Sequence, residues 1–270
     1  MQKIKMDFHV HSDFSPDSPS PMIDMIKRAM EVGITDLAFT EHVDLDYDVT
    51  DPGHDWNFDQ DTYFDAIRQY QNDYHEKIRL YAGVEIGMQP HLGIKNQSIV
   101  DARPFDFVIG SLHSVDGSDL YKRVYFDRHP SDRAVEHYYE QYLECISDFE
   151  GYDVLGHLDL YIRYEAKTKT VAMKSYFDVL EALLRKVIEN GKGIELNAGG
   201  FRYGLGQNNP GMDIMKLYKT LGGEVLTLGS DAHTPDQLGV EYNRNIERMK
   251  SLGFKYICTF KDRKPTFHKL

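Results

Sequence analysis

The chain is poor in cysteine, short of basic residues relative to acidic ones, and has no long apolar run. Its two cysteines, Cys145 and Cys258, stand far apart and in no metal-binding or redox spacing. That excludes a disulfide framework and a CxxC-type site, and two reduced thiols in a cytoplasmic protein are expected. Lys and Arg number 31 against 43 Asp and Glu, a formal charge of −12. Such a balance argues against the basic stripe of a nucleic-acid binder and against docking on anionic membranes. No apolar run is long enough to span a bilayer, and the opening MQKIKMDFHV passes straight into a strand pattern, so no signal peptide is expected. There is no internal repeat, no low-complexity tract, no linker rich in Pro or Ser, and no Cys or Ser nucleophile motif. An acidic protein that handles an anionic substrate must override its own field locally, and bound cations are the usual device.

What is present is an alternation. Short β-rich apolar runs at 4–10, 36–40, 80–86, 105–111, 152–156, 193–197 and 224–230 are followed by stretches of helical period at 21–33, 58–77, 132–149, 175–191 and 212–223. Ser20 is expected to cap the first helix with Pro21 at its first position and Gly33 as its stop; Asn190-Gly191 ends the fourth. A last run at 255–260 reads as a late edge element. The longest irregular stretch, 43–57, reads as a lid or entrance loop. Seven βα units in series imply parallel strands joined by crossovers, hence an α/β barrel one unit short of the usual eight, with an open doubly wound sheet as the alternative. A length of 270 residues with 41% apolar content suits one barrel domain over residues 1–270.

Polar residues gather where the strands end. The first strand finishes in Asp7, His9 and His11, the second in Thr40, Glu41 and His42. The third carries Glu85; the fourth and fifth lead into Ser111, His113 and His157. The sixth carries Glu195 and Asn197, the seventh ends in Ser230, Asp231 and His233. In a barrel these ends share one mouth, and period two puts His9 with His11, and Glu195 with Asn197, on one side of their strands. Each piece alone has a structural explanation: a core histidine, a salt-bridged carboxylate, a cap. Together, six of the twelve histidines and several carboxylates would crowd one volume, which calls for cations, and imidazole with carboxylate suits Zn, Mn, Fe or Co better than Mg or Ca. The histidines at 54, 75, 91, 129, 137 and 268 end no strand, and only His54 is placed to line an entrance. Arg163 and Arg202 follow the fifth and sixth strands and are candidates to clamp a phosphate in loops at the mouth. Asp44, Asp46 and Asp159 are candidate acceptors for a substrate ammonium.

These segments resemble the PHP (polymerase and histidinol phosphatase) family. The matching residues are Asp7-x-His9-x-His11-Ser12, Thr40-Glu41-His42, Gly83-Val84-Glu85, Gly110-Ser111-Leu112-His113, Gly156-His157 and Ser230-Asp231-Ala232-His233, in the family's order and over nearly the whole chain. Glu195-Leu196-Asn197 with Gly199-Gly200-Phe201-Arg202, and Arg263-Lys264-Pro265, resemble the histidinol-phosphatase branch. The resemblance implies a distorted seven-stranded barrel with three divalent transition-metal ions (Zn, Mn or Fe). It implies one ion on His9, His11, Glu85 and Asp231, a second on Glu85, His113 and His157, and a third on Asp17, His42 and His233. Glu85 would bridge two of them, and Glu85, Asp231 and His233 would serve catalysis. Asp17 stands where some relatives carry histidine, and a carboxylate is the harder ligand. Asp7 and Glu41 are expected to orient the histidines. The implied reaction is hydrolysis of a small phosphomonoester, L-histidinol phosphate, by direct water attack without a phosphoenzyme; another phosphoester, phosphotyrosyl protein or nucleotide, is the alternative. A related amide or lactone hydrolase would want a lysine at a strand end, and none is there. A non-catalytic module of the kind attached to polymerases would lack so full a ligand set.

Overall fold

The computed structural model describes residues 4–48 and 56–270. Among them the strands are β1 Met6–Val10, β2 Asp36–Val43, β3 Arg79–Gly87, β4 Phe107–Ser111, β5 Ser114–Val115, β6 Ser118–Asp119, β7 Val154–Leu155, β8 Gly193–Asn197, β9 Leu226–Gly229, β10 Tyr256–Lys261 and β11 Lys264–Lys269. Seven of them form one parallel sheet in the order β1-β2-β3-β4-β7-β8-β9. Their residues are buried without alternation, as in β2 and β8, because helices cover the outer face and packed side chains fill the inner one.

The sheet curls until β1 meets β9. The His9 carbonyl accepts the Asp231 N–H at 2.8 Å, and the His11 N–H donates to the Ala232 carbonyl at 2.9 Å. Nearer the other end of the seam the Asp7 carboxylate takes the place of a ladder, accepting the amides of Ser230 at 2.8 Å and Gly239 at 3.0 Å. Asp7 therefore closes the barrel and holds no histidine, which corrects the orienting role expected for it. Gly229 makes the approach possible: a Cβ there would lie 2.4 Å from that of His9. The barrel is nearly closed, and the open-sheet alternative is set aside.

Five helices occupy the expected stretches: Met22–Glu31, Gln60–Tyr74, Ser131–Asp148, Phe177–Glu189 and Met212–Thr220. Asp59 caps the second, accepting from the amides of Asp61 and Thr62. The first starts differently from expectation. Pro21 is its N-cap, and Asp13 rather than Ser20 accepts a first-turn amide, that of Met22, at 3.1 Å. Two further helices, Gly93–Asp101 and Tyr242–Ser251, were not expected. In the first the only buried apolar side chain is Val100, so its periodic signal is faint; the second is amphipathic through Tyr242, Ile246 and Met249, but that stripe is short and the helix strongly polar.

The run at 255–260 is not an edge strand of the barrel. With the β1–β9 seam closed no edge is free, and β10 pairs antiparallel with β11 beneath the barrel. Phe260 sits with its ring 5.0 Å from that of Phe107. Lys261 pairs with Asp106 at 2.8 Å, and Arg263 Nε donates to Asp153 Oδ2 at 2.6 Å. Asp106 and Asp153 immediately precede β4 and β7, so the hairpin ties down the end of the barrel away from the histidines. Asp153 is only 3% exposed, and burial raises its pKa while Arg263 works against that. Removing the guanidinium would strand a buried carboxylate. Arg263→Ala is expected to lower unfolding stability by about 2 kcal/mol in urea titrations, with metal affinity unchanged because the metal centre lies at the other end.

Candidate metal centre

Parallel register sets the site. β2 and β3 pair His42 with Glu85, and β3 reaches the barrel axis with Glu85 wholly buried. Its Oε1 lies 2.9 Å from His157 Nε2 and 3.2 Å from His113 Nε2 and accepts the Ser111 hydroxyl at 2.6 Å. Its Oε2 lies 3.1 Å from His9 Nε2, 3.5 Å from His11 Nε2 and 3.3 Å from His42 Nδ1. Asp231 Oδ1 faces His9 and His11 at 3.8 and 3.7 Å. On the outer side Asp17 Oδ2 stands 2.9 Å from His233 Nε2 and 3.7 Å from His42 Nε2. The residues of the three expected ligand sets thus come together around one carboxylate.

The partners on the far side of each ring fix which nitrogen faces inward. His9 Nδ1 meets Glu195 Oε2 at 2.9 Å, and His113 Nδ1 meets Asp44 Oδ1 at 2.6 Å. His233 Nδ1 meets the Asp231 carbonyl at 3.0 Å. The Ser15 hydroxyl gives its proton to Glu41, so it can only accept from His11 Nδ1, at 3.2 Å. All four rings therefore carry hydrogen on Nδ1, and each, when neutral, turns an Nε2 lone pair to the centre. Yet His9 Nε2 and His11 Nε2 are 3.1 Å apart, and His113 Nε2 is 3.4 Å from His157 Nε2. Lone pairs that face one another, or face a carboxylate as His233 faces Asp17, repel unless a cation lies among them. Metal–ligand bonds near 2.1 Å place neighbouring donors roughly 3–3.5 Å apart, which is the spacing found. The donor set fits divalent metal ions. Among the described residues four groupings have all their donor atoms within 4.8 Å of one another: His9, His11 and Asp231; His9, Glu85 and His157; His42, Glu85 and His113; His11, His42 and His233.

The electrostatics follow from this crowding. Burial would push Glu85 up, but His9, His42 and His113 hold its carboxyl well below the ordinary range. Asp44 is likewise buried, and His113 beside it brings it down to about 2. Asp231 adopts a left-handed backbone, φ +57°, costly for a residue with a Cβ. Arg202 holds that turn through the carbonyls of Ser230 at 3.3 Å and Asp231 at 2.6 Å.

Both arginines sit on short helices, Tyr161–Tyr164 and Gly199–Arg202, and not in open loops. The Arg163 side chain is 7% exposed, donates to Asp231 Oδ2 at 3.1 Å, lies 4.1 Å above the Tyr203 ring and lines the central cavity. Of the acids considered for an ammonium, Asp44 is bound to His113, Asp46 pairs with His91, and Asp159 accepts from Asn209 and the Gly211 amide. None of the three lines the cavity. The entrance loop lies partly outside the described residues, and His54 wholly so; its described ends are joined by Asp44 and Trp56, whose backbones exchange hydrogen bonds of 2.7 and 2.9 Å. The histidines at 75, 91, 129, 137 and 268 stay outside the cluster. Roles for Glu195, Asp44 and Ser15 were not foreseen; period two with Asn197 marked the side of Glu195, while nothing local marked the other two.

Residues 7–199 match the model of the PHP domain. The chain belongs to the PHP domain family. It is 29% identical to the histidinol-phosphatase of Lactococcus lactis over 95% of this chain and 94% of that protein. To a probable histidinol-phosphatase of Clostridium acetobutylicum it is 30% identical, over 92% and 94% of the two chains. Its fold superposes with a TM-score of 0.87 on the crystal structure of the L. lactis histidinol phosphate phosphatase complexed with zinc, L-histidinol and phosphate. That match covers 97% of this chain and 98% of the other at 28% identity.

Glu195 offers a direct check on the account of the rings. Its Oε1 also accepts the His157 amide at 2.7 Å and Asn197 Nδ2 at 3.0 Å, so a neutral glutamine would keep the shape and lose the charge beside His9. Glu195→Gln is expected to weaken metal binding 10- to 100-fold in competition with a chromogenic chelator, the usual effect of removing such an outer partner. Unchanged affinity would mean that Glu195 serves the backbone alone.

Proposed function

We propose that this chain hydrolyses L-histidinol phosphate to L-histidinol and inorganic phosphate, acting as one PHP-type domain over residues 1–270. The observation that carries the proposal is a buried carboxylate, Glu85, ringed by inward-facing imidazoles at the floor of a cavity that Arg163 also lines. Likeness over almost the full chain to proteins named for that reaction supports the choice of substrate.

In this reading His9, His11, Glu85 and Asp231 hold one divalent ion, Glu85, His113 and His157 a second, and Asp17, His42 and His233 a third, with zinc, manganese or iron as occupants. Bound there, such ions supply Lewis acidity, lowering the pKa of coordinated water and offsetting phosphoryl charge. The protein's own groups do the rest. Glu85 fixes the spacing between the ligand groups on its two sides. Arg163, braced by Asp231 and Tyr203, presents its guanidinium fork to the phosphoryl oxygens. Arg202 keeps Asp231 in its strained turn and adds positive charge behind Arg163. Water attacks phosphorus in line and the P–O bond to the leaving alcohol breaks. No Ser, Thr or Cys is among the described residues that line the cavity, so no serine, threonine or cysteine is placed there to form a phosphoenzyme. Both cysteines are buried away from it and unpaired, in keeping with the cytoplasm as the site of action. No helix among the described residues is long and apolar enough to cross a membrane.

Metal-reconstituted protein is expected to release phosphate from L-histidinol phosphate with kcat/KM of roughly 10⁴–10⁸ M⁻¹s⁻¹, and far more slowly from phosphotyrosine, AMP and 4-nitrophenyl phosphate. Comparable weak release from all four would overturn the choice of substrate. Prior treatment with a chelator should abolish release, and zinc or manganese should restore it.

A further inference from the structure

Four carboxylates line the central cavity, and three are already engaged. Glu85 faces imidazoles, Asp17 faces His42 and His233, and Asp231 pairs with Arg163. Asp119 is the fourth. It is 5% exposed, yet among the described residues no lysine, arginine or histidine stands within ion-pair distance of it. The nearby lysine, Lys122, pairs with Asp48 instead. What holds Asp119 is neutral: Oδ1 accepts the Tyr121 amide at 2.8 Å, and Tyr47 lines the cavity with it. A buried carboxylate held only by neutral donors is costly, and a cation brought by a ligand would remove much of that cost.

Its place in the fold is fixed. The β5–β6 hairpin starts directly after the ligand His113 and pairs Asp119 with Ser114, while Leu120 N–H returns to the His113 carbonyl at 3.0 Å. The negative charge therefore sits beside the metal centre. Around it the wall is aromatic: Tyr47 stacks on Trp56 with centroids 4.9 Å apart, and Tyr164 lines the same cavity. A carboxylate that shares its cavity with aromatic rings is suited to an organic cation with an apolar or aromatic body.

Resting on the substrate reading above, we infer that Asp119, with Tyr47 beside it, receives the ammonium of the leaving alcohol and makes the enzyme select phosphomonoesters of cationic amino alcohols. A neutral ester would leave Asp119 buried without its partner. Discrimination therefore comes from the penalty on the wrong ester as well as from attraction to the right one.

The test compares L-histidinol phosphate with its deamino analogue, 3-(imidazol-4-yl)propyl phosphate, as the ratio of the two kcat/KM values. Wild type is expected to favour the amine. In Asp119→Asn the ratio should fall by roughly 10- to 100-fold, the worth of a hydrogen bond to a charged group. Asp119→Glu, which keeps the charge, should give an intermediate ratio, and it carries the test if the asparagine variant does not fold. A general structural role would slow both esters alike and leave the ratio unchanged, and that result overturns the inference while sparing the substrate reading. A wild-type ratio near one, with L-histidinol phosphate still turned over efficiently, overturns the inference alone.

Discussion

Everything at the mouth of this barrel depends on the burial of one charge. Glu85 sits on the third strand with no access to solvent, and the polar groups that reach it come from the ends of four other strands, β1, β2, β4 and β7. A carboxylate in that position is tolerable only if positive charge stands around it. Protonated imidazoles can provide it, as His9, His42 and His113 do for Glu85, but a ring that binds metal must be neutral and turn a lone pair inward. Cations resolve the conflict for the carboxylate and the rings at once. The same demand explains the outer layer: Glu195, Asp44 and Ser15 exist in this geometry to choose the tautomer that makes each ring a ligand.

The barrel makes that charge position possible. Seven strands rather than eight leave a seam between β1 and β9, closed by two backbone bonds, the Asp7 carboxylate and a glycine. The seam carries His9 and His11 on one side and Asp231 on the other, so closing the sheet also brings together the members of one ligand set. At the opposite end the C-terminal hairpin ties β4 and β7 through buried aspartates. Stability is thus concentrated away from the chemistry, and the mouth is left to short helices and loops that shape the cavity.

Much of this was legible in the sequence, because strand ends write their residues next to strong periodic signals. Asp-x-His-x-His, Thr-Glu-His, the single Glu85 and Ser-Asp-Ala-His each follow a clear apolar run, and all converge. What stayed illegible depends on pairings between distant segments. Asp7 looked like a histidine's partner and proved to be a seam closure, because its amide partners lie more than 200 residues away. Asp44 looked free for a substrate and is held by His113. The final apolar run had a strand's composition, but only the closed seam shows why it could not join the sheet. Asp119 ends no barrel strand, and its lack of a charged partner shows only in three dimensions.

The central claim is that cations lie on both sides of Glu85. Anomalous X-ray diffraction from zinc-loaded crystals, collected above and below the zinc absorption edge, tests it most directly. The account expects one peak bonded to Glu85 Oε1 with His113 and His157, and another to Oε2 with His9, His11 and Asp231. Peaks confined to surface histidines, with Glu85 in contact with none, would contradict it.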